Sequence, residues 1–214
     1  MHFEILVEDQ SGKVTLDILM PKIIGDQHTF NVKRYKGVGR IPKNMNTAVD
    51  ASKRQLLDNL PRLLGGYGKS WPHGYGAVIV VCDLDNKCLK TFREELMRVL
   101  SSCNPRPETR FCIAIEEGEA WFLGDIPAIK QAYPKAKEAL LNAYVSDSIC
   151  GTWERLADAV YRGGSQQLSS LGWQVVGTEK SAWAENISPH MDLNNNLSPS
   201  FNYFLKKLQD LANS

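Results

Sequence analysis

Gly76-Ala77-Val78-Ile79-Val80-Val81-Cys82-Asp83 is the stretch that decides the fold. It is a continuous β-branched run without alternation, which reads as a strand buried on both faces, as in the middle of a parallel sheet. On its N-terminal side, Phe3 to Val7 forms a shorter apolar run that ends at Glu8 and reads as the first strand. From Ser11 the period changes: Leu16, Leu19, Met20 and Ile23 fall at helical spacing, and Gly25 stands where that helix ends. Thr29 to Tyr35 alternates as a second strand, and Lys36 to Lys43 is a loop punctuated by two glycines and a proline. A helix is predicted over residues 51 to 64, kinked near Pro61 and stopped by Gly65-Gly66.

After the central strand, Leu89, Phe92, Leu96, Val99 and Leu100 mark one face of a helix over residues 87 to 102. Arg110 to Ile115 is the fourth strand. The order is β-α-β-α-β-α-β, which predicts an α/β domain with a mainly parallel four-stranded sheet over residues 1–125. Residues 126–214 read as a helical extension packed on that core in the same compact unit. Its segments include Ile126 to Tyr133, Trp153 to Tyr161, and a last helix with Ser198 as N-cap and Pro199 at its first position. Trp121 and Trp183 sit in apolar helical patterns and are expected in the core, as are Phe201 and Phe204.

Composition narrows the function classes. At 214 residues, 43% hydrophobic and 23% charged, the chain is of ordinary globular make-up. Its longest apolar run, Ala77 to Cys82, falls far short of the roughly 20 residues of a membrane span. Five cysteines without a CxxC pair, and an N-terminus without the pattern of a signal peptide, predict reduced thiols in a cytoplasmic protein. The net charge of +1 is uninformative, but its distribution is not. Nine lysines and arginines lie between Lys33 and Lys69 against Asp50 and Asp58, whereas Ala114 to Asp125 holds four acids and no base.

In open parallel sheets, ligands bind at the carboxyl ends of the strands. Three of the four predicted strands deliver acids there: Glu8 with Asp9, Asp83-Leu84-Asp85, and Glu116-Glu117-Gly118-Glu119. Any one of these acids alone is more simply a helix cap or turn former. Together they form an all-oxygen set that suits a hard cation, Mg2+ or Mn2+, and such ions position phosphates and activate water. His2, His28, His73 and His190 show no ligand spacing. Ser11-Gly12-Lys13-Val14-Thr15 fails as a P-loop, because it lacks the leading glycine and has Val14 where Ser or Thr is needed. Lys36, Arg40 and Lys43 suit nucleic-acid phosphate contacts, and equally suit a solvated basic loop.

Glu8, Asp83 and Asp85 in this arrangement resemble the acids of the topoisomerase–primase (Toprim) domain, a Rossmann-like fold. Val7-Glu8-Asp9-Gln10-Ser11, the stretch Ile115 to Asp125 (IEEGEAWFLGD), and the tail Lys180-Ser181-Ala182-Trp183 with Ser198-Pro199-Ser200-Phe201 resemble domain-of-unknown-function family 4276 over nearly the whole chain. That family resembles in turn the nuclease half of the overcoming-lysogenization-defect nucleases. The resemblance implies a metal-dependent nuclease acting on DNA or RNA, often in bacterial anti-phage defence beside an AAA- or ABC-type ATPase. It implies Glu8, Asp83, Asp85 and Glu119 as catalytic and metal-holding residues, Asp125 as a further ligand, and Lys180 as a transition-state cation. Asp9 departs from the family's usual glycine, either adding a ligand or narrowing phosphate access. Two other readings remain open: a non-catalytic regulatory subunit of an ATPase complex, and a metal-dependent nucleotide phosphohydrolase or nucleotidyltransferase.

Overall fold

The computed structural model describes residues 1–44, 51–148 and 151–213, with only the backbone of Ala51. Four strands, β1 (His2–Val7), β2 (Thr29–Arg34), β3 (Gly76–Asp83) and β4 (Thr109–Ala114), form one sheet in the order β2-β1-β3-β4, and every neighbouring pair is parallel. The α/β class, the parallel sheet and the helical C-terminal part are as the sequence predicts, and the architecture is Rossmann-like. The central run has seven buried residues followed by a half-buried Asp83, as a strand covered on both faces requires.

One face carries α1 (Gln10–Ile24) and the C-terminal helices, and the other carries α2 (Leu56–Ser70) and α3 (Leu89–Ser101). The C-terminal helices are α4 (Glu119–Leu123), α5 (Ile126–Ala132), α6 (Glu138–Asn142), α7 (Thr152–Val160), α8 (Gly164–Ser170), α9 (Trp173–Ile187) and α10 (Pro199–Ala212). Alternation along the strands divides the core. Phe3, Ile5, Val7, Ile79 and Val81 join the α1 face, while Leu6, Val78 and Val80 join α2 and α3. Trp121, Trp183, Phe201 and Phe204 belong to the same buried cluster as Phe3 and Ile5, so the helical extension shares the core of residues 1–125.

Two sequence expectations need correction. The helix predicted to stop at Gly65-Gly66 continues as α2 through Pro61 and those glycines to Ser70. Its apolar stripe of Leu56, Leu57, Leu60 and Leu64 packs on the sheet. Gly68 is needed for close approach, since a Cβ there would collide with the Pro105 carbonyl. In the stretch that forms α9 the sequence marks only an apolar helical pattern at Trp183, yet the helix spans four turns. Its exposed Trp173 and Val175 blur the helical stripe that would have announced it.

The two stretches most specific to the resemblance pack against each other. Leu197 N donates to Gly124 O at 2.8 Å, and a Cβ on Gly124 would meet Ser198 N. Ser198 caps α10 by accepting from Phe201 N at 3.2 Å, and Trp121 stacks on Phe204 with centroids 4.9 Å apart. Phe204 is fully buried. Phe204→Ala should therefore destabilise the chain by about 3–5 kcal/mol in urea unfolding, with the slope m unchanged. A loss under about 1 kcal/mol would mean the extension contributes little to the core.

Candidate functional site

Parallel pairing of β1 with β3 sets Val7 against Val81, so both chains leave the sheet together. Glu8 follows β1 directly, and its Oε2 accepts from the Asp83 backbone N–H at 3.3 Å. Asp9 caps α1, with Oδ1 accepting from Gly12 N at 2.8 Å and Oδ2 accepting from Ser11 Oγ at 2.7 Å. The turn after β4 brings Glu117 and Glu119 to the same edge, and Lys180 reaches in from α9 on the α1 face. Glu8, Asp9, Asp83, Glu119 and Lys180 line a cavity of about 40 Å3 walled by Val7, Val81, Ala114, Trp121 and Phe122. That space admits an ion or a few waters and no nucleobase.

Lys180 Nζ lies 3.1 Å from Glu119 Oε2 and 3.7 Å from Glu117 Oε2, with the lysine side chain 14% exposed. Burial alone would lower the lysine pKa, but Glu119, Glu117, Asp83 and Asp9 outweigh it and hold the ammonium charged. Burial pushes Glu117 up to about 7, opposed by Lys180 and reinforced by Glu119. Glu119 is likewise raised by burial against the pull of Lys180. Burial raises Glu8 to about 7, reinforced by Asp9 and Asp85 and opposed by hydrogen bonds from Asp83, while burial and the Glu8 charge raise Asp83. Like charges this close share a proton unless a cation arrives. Glu117 Oε2 and Glu119 Oε2 are buried with no hydrogen-bond partner beyond the lysine ion pair.

The expected residues divide three ways. Glu8, Asp83, Glu119 and Lys180 are brought together. Asp85 stands at the rim, at φ 49°, with its carboxylate 2.7 Å from Lys87 Nζ, although its charge still raises Glu8. Asp125 is not in the cleft. Its Oδ1 accepts from Ala128 N at 3.1 Å, capping α5, and its Oδ2 accepts from Asp192 N at 2.7 Å. Both oxygens are thereby committed to holding the chain, so the expected ligand role is corrected to a structural one. Glu116 is similarly spent, accepting from Gly151 N and Thr152 N at 2.7 and 2.8 Å.

Glu117 enters the sequence reading only as one of the Glu116–Glu119 acids, with no role of its own. Lys36, Arg40 and Lys43 lie exposed on the loop after β2, which is tied to the site by Gly37 N donating to Glu8 O at 2.8 Å. Among the described residues, no group of three or more acids, histidines or cysteines is arranged to hold a metal ion, and no helix is long and apolar enough to cross a membrane.

The fold and cleft together define a Rossmann-like α/β protein whose strand ends carry carboxylates in excess of their cations. The chain belongs to the domain-of-unknown-function family 4276, whose model matches residues 7–209. No curated protein and no solved structure matches it.

The raised carboxyls fix the sign of a pH effect. A glutamate at 4.5 when unfolded and about 7 when folded binds more protons in the folded state between those values. Its stabilising share is complete below the lower value and is lost as pH rises through the upper one. Glu117→Gln should therefore lose less stability than the wild type between about pH 4.5 and about pH 8 in urea titrations. An equal or larger loss would contradict the assignment.

Proposed function

We propose that this protein is a divalent-cation-dependent phosphodiester hydrolase of Toprim type, a nuclease working on DNA or RNA, alone or as the effector of a complex with an ATPase. The observation that carries the reading is the contact of Glu8 with Asp83 at the ends of adjacent parallel strands, where burial raises both carboxyls and the Glu8 charge raises Asp83 further. An acid pair in a cavity of ion size is a receptor for positive charge. The donor set fits Mg2+ or Mn2+ in kind, being all carboxylate oxygen, and Glu8 and Asp83 would hold the ion with Asp85 at the rim. When bound, such an ion neutralises phosphate charge and polarises water.

The chain's own groups supply the rest. Lys180 is charged, buried and fixed by two carboxylates, so it offers a preorganised cation to the charge that builds on the phosphate oxygens. Glu119, which the resemblance implies as a metal-holding residue, positions this ammonium at 3.1 Å. The second positive charge of the site is thus the lysine. Glu117 and Glu8, both pushed up to about 7 by burial, are carboxyls poised to take or give a proton at neutral pH. Asp9 orients the first turn of α1 and bounds the cavity.

The test is cleavage of plasmid, linear duplex, single-stranded DNA and structured RNA with Mg2+, Mn2+ or EDTA. The expected result is cutting that needs the metal and falls by about 100-fold or more in Asp83→Ala. Lys180→Met should lower the rate while leaving metal binding in place. Cleavage by Asp83→Ala at the wild-type rate would overturn the reading. Absence of cutting in every lane would favour the regulatory-subunit alternative.

A further inference from the structure

A second concavity lies across the sheet edge from the acidic cleft, on the α2–α3 face. Its outer wall is the loop after β2. Four backbone bonds fix that loop: Lys36 N to Arg54 O at 2.8 Å, Gly37 N to Glu8 O at 2.8 Å, Leu56 N to Gly37 O at 3.1 Å and Leu57 N to Val38 O at 2.8 Å. Gly39 has φ 69°, and a Cβ there would strike the Asp58 carboxylate, so the loop lies tight on α2. Between this loop and α3 is a groove of about 430 Å3, some ten times the volume of the acidic cavity and within the range of small-molecule sites.

The lining is of two kinds. Ile41, Pro42, Leu57 and Phe92 make an apolar floor, and Arg40, Lys43, Lys87 and Arg98 make a cationic rim. Glu95 is the groove's carboxylate, 3.9 Å from Arg98. Among the described residues, Arg40 and Lys43 form no ion pair. Lys87 lies at the groove wall, its Nζ 2.7 Å from Asp85 and 5.1 Å from the centroid of the Phe92 ring.

We propose that this groove binds one unpaired nucleotide of a nucleic-acid strand, with its base on the apolar floor and its phosphates on the cationic rim. The acidic cavity is too small for a base, so a strand crossing the sheet edge must place its phosphate there and its base elsewhere, and the groove is of suitable size and chemistry. This rests on the nuclease reading and narrows it to single-stranded or locally unpaired substrate. A paired base is turned inward and cannot reach the floor, whereas an unpaired base gains from leaving water. A free nucleotide offers the same chemistry without the flanking phosphates.

The experiment is fluorescence anisotropy in EDTA, which separates binding from cleavage. The probes are a fluorescein-labelled oligo-dT octamer, a hairpin duplex of equal length and dTMP as competitor, with wild-type protein and the Arg40→Ala/Lys43→Ala variant. Both side chains are exposed, so the variant is expected to fold. The octamer should bind about tenfold tighter than the duplex and dTMP should compete only weakly, because it lacks neighbouring phosphates. The variant should lose about tenfold, and its slope of log K against log salt should shrink by about 1.4, the sum for two single-strand phosphate contacts. Equal affinity for duplex, or an unchanged variant, would overturn the groove. Competition by dTMP at the octamer's own affinity would overturn the strand and leave a free-nucleotide site. Loss of octamer binding in the variant without any cleavage by the wild type would defeat the nuclease reading and keep the groove.

Discussion

The parallel pairing of β1 with β3 is the constraint on which the rest depends. Parallel neighbours end at one edge, so Glu8 and Asp83 meet whatever the loops do afterwards. Both strands are buried, and the edge is walled by Val7, Val81 and Trp121, so the carboxyls cannot be relieved by bulk water. Repulsion is then answered by protonation or by a cation. The buried acids elsewhere follow another rule. Glu4 keeps its pKa low although burial raises it, because Asn31, Tyr67 and His2 hydrogen-bond it and Lys33 lies nearby. The contrast between Glu4 within β1 and Glu8 just past its end separates a carboxylate that is satisfied from one that awaits a partner.

The helical C-terminal part makes the cleft what it is. Lys180 is carried by α9, which packs on α1, and the strand ends alone would be purely acidic. Asp125 and Asn196 hold this part in place, Asn196 donating to the Trp121 carbonyl at 2.8 Å and accepting from Ser198 N at 2.8 Å. The EAWFLGD and SPSF stretches therefore act as structural joints around the site. Of the first stretch, Glu119 brings charge to the cavity and Trp121 and Phe122 bring apolar wall.

The sheet was legible because a buried strand announces itself locally: eight residues from Gly76 to Asp83 carry their own reading. The acids at its edge were legible as a set, since topology alone places strand ends together. Individual roles were not. Asp125 and Asp9 look alike in sequence, each an acid ahead of a helix, and only the hydrogen bonds show that one faces away from the cleft while the other lines it. Glu117 gains its importance from Lys180, 63 positions later, a pairing that no local pattern contains. Lys180 itself came from the resemblance. The end of α2 was misread because Gly65 and Gly66 look like a stop, whereas the close approach of Gly68 to Pro105 is a fact of packing.

The central claim is that Glu8 and Asp83 form a receptor for one divalent cation. Calorimetric titration with Mg2+ or Mn2+ at about pH 6.5, run in buffers of different ionisation enthalpy, tests it most directly. The account predicts saturable binding that releases protons, as the ion displaces those shared by the two carboxyls, and that disappears in Asp83→Ala. Absence of binding, or binding that survives in Asp83→Ala with no proton release, would contradict it.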